Sequence, residues 1–87
     1  MLFYRGELRK VINFKSKAGN DLYKIKVELS HFDVEIFIPK KYYDQIEKFE
    51  NNISKTLDFP IYFNCQISDD KTKVYKNYCL ADLPKFQ

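Results

Sequence analysis

The sequence has no tryptophan, one histidine, one methionine, two cysteines, two glycines and three prolines in 87 residues. Glycines this scarce exclude a Gly-rich phosphate-binding loop, and the sequence has no Gly/Ser/Pro linker, repeat or low-complexity tract. We therefore expect a single domain covering residues 1–87. The sequence shows no Ser–His–Asp set and no Cys–His pair with a plausible nucleophile context. A metal site at His31 would need both cysteines, in no familiar zinc spacing. We predict no metal, no cofactor and no enzymatic activity.

Long apolar runs are also missing. Charge appears at Arg5, and no signal-peptide core or membrane-length segment follows it. These absences predict a cytoplasmic protein without membrane contact, in which Cys65 and Cys79 stay reduced. Asp33 and Glu35 lie two residues apart on one predicted strand face and could in principle be an acid/base pair, but such pairs are more often a solvated strand face.

Hydrophobic residues make up 45% of the chain and aromatic residues 17%, which is typical of a folded domain. The bias towards Lys, Asn and Ile fits an AT-rich coding sequence, as in low-GC bacteria and their phages and plasmids. The net charge is only +3, but residues 1–30 contain seven Lys/Arg against three Asp/Glu. This local excess favours an anionic partner.

Alternating apolar and polar residues predict five strands. The clearest is YKIKVEL, in which Tyr23, Ile25, Val27 and Leu29 alternate with charged residues. A bend or bulge is expected in the long first strand, at Gly6 or at Val11–Ile12. The predicted strands cover residues 3–14, 22–29, 33–38, 60–68 and 74–83.

One helix is predicted between the third and fourth strands. Pro39 suits its first turn, and apolar residues then recur at helical spacing over 40–57. Asn51 and Asn52 lower the helix propensity in the middle, so this is where a break is expected. The apolar stripe consists of Tyr42, Ile46, Phe49, Ile53 and Leu57.

The predicted order, β-β-β-α-β-β, is that of the OB-fold, a small five-stranded Greek-key barrel whose amphipathic helix closes one end. An SH3-like barrel would have only a short helical turn near its end, and a split β-α-β sheet would need a second helix. The last two strands raise a separate question about the cysteines. A hairpin centred on Thr72 places Cys65 opposite Cys79, either as two small buried side chains or as a redox pair.

Cations and aromatic rings gather on the face that OB-folds use for binding, namely the second and third strands and two adjoining loops. A single-strand binder needs cations for the phosphates and rings on which the bases stack. Asp33 and Glu35 on the same face count against this interpretation. The candidate residues are Lys15, Lys17, Lys24, Lys26, Lys71 and Lys73, with Phe14, Phe37, Tyr62 and Tyr75 as nearby rings.

The stretches KAGNDLYKIKVEL, FDVEIFIP and KTKVYKNYCLADL resemble the small OB-fold single-stranded DNA-binding proteins of phages and plasmids, loosely the gene V type of filamentous phages. The helical segment 40–57 is a departure from the gene V type. The resemblance implies a protein that coats single strands during replication or transfer of a mobile element, often as a homodimer. It adds Tyr23, as an alternative to Phe37, to the residues expected to contact nucleic acid.

Two alternatives remain open at this stage. A small phage- or plasmid-encoded interaction module could block a host enzyme or nuclease by strand addition, in which case the acidic segment 31–60 matters more than the basic hairpin. RNA in place of DNA is the other alternative.

Overall fold

The computed structural model describes residues 2–67 and 74–86. Its five strands form a closed barrel in the order β1-β2-β3-β5-β4, in which β3 and β5 are parallel and the other neighbours are antiparallel. This arrangement confirms the predicted OB-like barrel. The strands are β1 (Leu2–Lys15), β2 (Asp21–Glu28), β3 (Asp33–Phe37), β4 (Thr56–Ile67) and β5 (Val74–Leu80).

The long strand β1 belongs to both halves of the barrel. Its first part pairs with β4 and its second part with β2, and Glu7 lies at the changeover, opposite both Thr56 and Glu28. Gly6 stands just before this point. A Cβ added there would lie 2.5 Å from the Glu28 carbonyl oxygen, so only glycine lets the strands approach this closely.

A bulge follows in the same strand. Leu8 pairs with Val27 and Lys10 with the adjacent Lys26, so Arg9 is an extra residue in β1. The predicted irregularity is therefore present, although it lies between the two places that the sequence suggested.

Alternate residues of the strands fill the barrel. Ile25 and Val27 of β2 are fully buried, as their alternation with lysines predicts. The buried core is Leu8, Ile25, Val27, Val34, Ile36, Ile38, Phe49, Leu57, Phe59, Ile61 and Leu80. The strand face opposite to this core, on which the lysines of β2 lie, is called the outer face below.

The helical segment is shorter than predicted. A 3₁₀ segment (Lys40–Gln45) leads into α1 (Ile46–Glu50), and Phe49 of α1 is fully buried in the core. α1 ends at Glu50, directly before Asn51 and Asn52, where the sequence predicts a break. The predicted continuation to residue 57 is wrong: Ile53 is 38% exposed, and Leu57 belongs to the core face of β4.

The early end of α1 has a physical cause. The side-chain nitrogen of the buried Asn52 donates to the Lys48 carbonyl at 2.9 Å, which satisfies an acceptor at the helix C-terminus. The next residues then pair with β1: Ser54 N–H donates to the Leu8 carbonyl at 2.7 Å, and Leu8 N–H donates to the Lys55 carbonyl at 3.0 Å. Bonds to a neighbouring strand replace those that a longer helix would make.

The predicted cysteine pairing is also wrong. Cys79 stands opposite Tyr62, and Cys65 stands opposite Lys76. The register follows from burial, because Ile61 and Leu80 are paired and both point into the core. The hairpin centred on Thr72 would instead pair Leu80 with Asn64. The cysteines are therefore not cross-strand neighbours, which removes the redox-pair interpretation.

Candidate nucleic-acid interface

A continuous row of outer-face residues crosses all five strands of the barrel. Each member is the direct cross-strand partner of the next, so their side chains are neighbours on one surface. We call this set the register row; it consists of Ile12, Lys24, Phe37, Cys79 and Tyr62. Three of its members, Lys24, Phe37 and Tyr62, are residues that the sequence predicted to meet nucleic acid.

Two phenylalanine rings and one ammonium group lie together at the β1–β2–β3 end of this row. Phe14 and Phe37 contact each other edge to face with their centroids 5.9 Å apart. The Lys24 Nζ lies 5.1 Å from the Phe14 centroid and 5.8 Å from the Phe37 centroid. This cation–π arrangement holds Lys24 in place and covers part of both rings.

The other end of the row presents a more accessible ring. Tyr62 is 49% exposed, whereas Phe37 is half-buried. A hydrogen bond between the Tyr62 hydroxyl and the Cys79 side chain raises the pKa of Tyr62 above its ordinary value, with smaller contributions from the Cys79 charge and from burial. Because it is the more exposed of the two rings in the row, Tyr62 offers the better stacking surface.

The lysines of β2 do not stand as free cations. Lys24 Nζ lies 3.2 Å from a Glu35 carboxylate oxygen, and Lys26 Nζ lies 3.5 Å from an Asp33 oxygen. Both pairs connect diagonal neighbours on adjacent strands. The acids that counted against the site in the sequence therefore compensate its lysines directly, although exposed pairs of this kind are weak and open easily.

The loop between β1 and β2 contributes two more of the predicted cations. Lys15 pairs with Asp21 at 2.7 Å. Lys17 lies exposed in a turn closed by Gly19, whose φ is +84°, and no acid of the described residues lies within 4.0 Å of its ammonium group. Lys17 is thus the least compensated of the four predicted lysines that the structure describes, which are Lys15, Lys17, Lys24 and Lys26.

One predicted residue, Tyr23, lies off this surface, and the side chains of three others fall outside what the structure describes. Tyr23 lies on the opposite face of β2 from Lys24, half-buried against the core, with its ring 4.9 Å from that of Tyr43. Lys71 and Lys73 lie outside the described residues, as does the side chain of Tyr75.

Lys10 is a cation that the sequence analysis missed. It lies directly opposite Lys26 on the outer face, and no acid in residues 2–67 or 74–86 is within salt-bridge distance of it. The bulge at Arg9 creates this alignment. Sequence alternation does not reveal such a bulge, so no sequence signal placed Lys10 beside Lys26.

Other chemistry is not assembled in the described part of the chain. There, no three His, Cys, Asp or Glu side chains come together as possible metal ligands. No helix in it is long and apolar enough to cross a membrane.

The chain matches no protein-family model, no curated protein and no solved structure with which it was compared. The barrel topology alone does not assign a function, because OB-folds serve many functions. A functional proposal must therefore rest on the outer-face residues themselves.

Proposed function

We propose that the protein is a non-enzymatic, cytoplasmic single-stranded DNA-binding protein with little sequence preference, which serves the replication or transfer of a mobile element. The observation that carries this proposal is the register row, in which one ammonium group and two aromatic rings line up across an OB-like barrel. Cations that follow phosphates and rings that stack on any base are the two requirements of such binding.

The bound DNA strand would lie across the outer face of the barrel. Phosphates would meet Lys24 and Lys26 after exchange with Asp33 and Glu35, and bases would stack on Phe37 and Tyr62. These two rings are separated by two strand spacings, about 10 Å, so they would hold different bases. Neither contact reads a base edge, which is why low sequence preference is expected.

The test is a titration of fluorescent oligo-dT at about 50 and 200 mM salt. Lys26→Ala should weaken binding and reduce the magnitude of the salt slope by about 0.7, the value for one phosphate contact on a single strand. Tyr62→Ala should lose about 1–3 kcal/mol of binding free energy with the slope unchanged, because stacking releases no counterions.

Two control variants match these changes. Lys48→Ala removes one exposed charge from α1, and Phe32→Ala removes an exposed ring, 57% accessible, that is not in the register row. Both should leave the affinity unchanged. Absence of wild-type binding to oligo-dT at about 50 mM salt, where weak phosphate contacts still register, would refute the proposal. An oligo-U titration in parallel compares RNA with DNA, since only RNA has the 2′-hydroxyl.

A protein-interaction module that inhibits a host enzyme or nuclease is the second candidate function. It is favoured by the charge compensation of the β2 lysines and by exposed apolar residues near one end of the β1–β4 ladder. Phe3 and Tyr62 lie on the outer face, and Leu2 and Phe63 form a second patch on the opposite face of the strands. Exposed apolar patches often mark protein contacts, including contacts with a second copy. Sedimentation equilibrium of wild-type protein and of Phe63→Ser would detect a homodimer built on the patch of Leu2 and Phe63.

A further inference from the structure

A shallow surface cavity lies beside the bulge of β1, one row away from the register row. Its volume is about 420 Å³, and it is lined by Arg9, Lys10, Lys26, Glu28 and Asp33. No prediction from the sequence included Arg9 or Lys10 in a binding site.

Of the three cations that line this cavity, only Lys10 lacks an ion-pair partner among the described residues. Arg9 pairs with Glu7 at 2.5 Å and with Glu28 at 3.3 Å, and Lys26 pairs with Asp33 at 3.5 Å. The Lys10 ammonium group is therefore the cation of this cavity that is open to an external anion.

The position of Lys10 is unfavourable for the folded chain alone. It is the direct cross-strand partner of Lys26, and like charges in that position repel each other. Bulges occur preferentially beside functional sites, where they redirect a side chain. Here the bulge sets Arg9 and Lys10 together opposite Lys26. An arrangement that is unfavourable in the free protein becomes favourable when an anion lies between the cations.

We propose that this cavity is a phosphate-binding subsite, in which Lys10 and Lys26 hold one phosphate group between them and the Arg9 guanidinium provides a further donor. Ammonium and guanidinium groups are the side chains that bind phosphate oxygens by charge-assisted hydrogen bonds. The proposal rests on the proposed function, since the phosphate would belong to the bound single strand. It also extends that function, because it places the sugar-phosphate backbone of the bound DNA on the Lys10–Lys26 side of the register row.

The decisive variant is Lys10→Gln. Removal of the repulsion should raise the melting temperature by about 1–5 °C. Removal of the phosphate contact should weaken oligo-dT binding about two- to tenfold and reduce the magnitude of the salt slope by about 0.7. A side chain with a purely structural role would not combine higher stability with weaker anion binding.

Lys10→Arg and Lys48→Gln are the matched controls. The first keeps the charge and should retain the affinity and the salt slope. The second removes one charge from α1 and should change neither the anion response nor the repulsion at the bulge. If Lys10→Gln melts at the wild-type temperature and binds with wild-type affinity, the proposal is overturned.

A second measurement separates this subsite from the proposed function. Millimolar tripolyphosphate at constant ionic strength should raise the melting temperature of the wild type and of Lys48→Gln but not that of Lys10→Gln. If that pattern appears although the wild type does not bind oligo-dT, the subsite is supported and single-stranded DNA binding is refuted. If all variants respond equally to tripolyphosphate and bind oligo-dT equally, the subsite is refuted and the proposed function stands.

Discussion

The ion pairs on β2 and β3 allow a gain-of-function test of the interface. In the double variant Asp33→Asn, Glu35→Gln, both acids that compensate Lys24 and Lys26 lose their charge while their side chains keep nearly the same shape. If the two lysines meet phosphates, they no longer have to exchange one anionic partner for another. We therefore expect tighter binding to oligo-dT, with a salt dependence close to that of the wild type because the number of phosphate contacts is the same.

The magnitude follows from the two pairs. Exposed ion pairs are worth about 0.2–1 kcal/mol each, so their removal from the free protein should improve the affinity about two- to thirtyfold at low salt. Both proteins make the same two phosphate contacts, so the magnitude of the salt slope should differ by less than the ~0.7 that one contact contributes.

Fluorescence anisotropy of labelled oligo-dT at four or more salt concentrations measures both quantities. The matched control is Asp44→Asn, Glu47→Gln, which changes the net charge by the same amount in the helical segment. Equal gains in the two double variants would mean that only net charge matters. Unchanged affinity in the β3 variant would show that Lys24 and Lys26 do not contact DNA, and would refute the interface.

Three further predictions concern the fold and the register row. Phe49→Ala should lower the free energy of unfolding by about 3–5 kcal/mol in urea titrations, because the ring is fully buried, whereas Ile53→Ala at an exposed turn should cost much less. Gly6→Ala should lower the free energy of unfolding by about 1–3 kcal/mol in the same titrations, because the added methyl group meets the Glu28 carbonyl oxygen. A urea midpoint equal to that of the wild type would show that β2 can move away from β1. Cys79→Ala should lower the pKa of Tyr62 towards its ordinary value in an absorbance titration, and an unchanged pKa would contradict the hydrogen bond. The stability of the wild type should fall as the pH rises above the ordinary tyrosine pKa, because Tyr62 keeps its proton to higher pH in the folded state than in the unfolded state.

The strand and helix order was predictable because local sequence patterns determine it. Ile25 and Val27 alternate with Lys24 and Lys26, and this period of two places the apolar pair in the core and the lysines outside in any antiparallel sheet. Pro39 marks the end of β3 in the same local way. The predicted neighbours Lys24 and Phe37 are likewise adjacent, because a short connection between β2 and β3 leaves few choices of register.

The helix end and the strand register depend on residues that are distant in the sequence, so only the tertiary structure determined them. The helix ends at Glu50 because Ser54 and Lys55 bond to Leu8, a residue far away in the sequence. The pairing of Cys79 with Tyr62 follows from burying Ile61 against Leu80, and an odd shift of register moves a side chain to the other face of a strand.

The same holds for the proposed phosphate subsite. The bulge at Arg9 has no alternation signal of its own, yet it brings Lys10 opposite Lys26. Sequence alone therefore determined which residues of β2 and β3 are buried or exposed, because their alternation depends on near neighbours. Only the closed barrel determined which exposed residues become neighbours, because strand register is set by packing across the core.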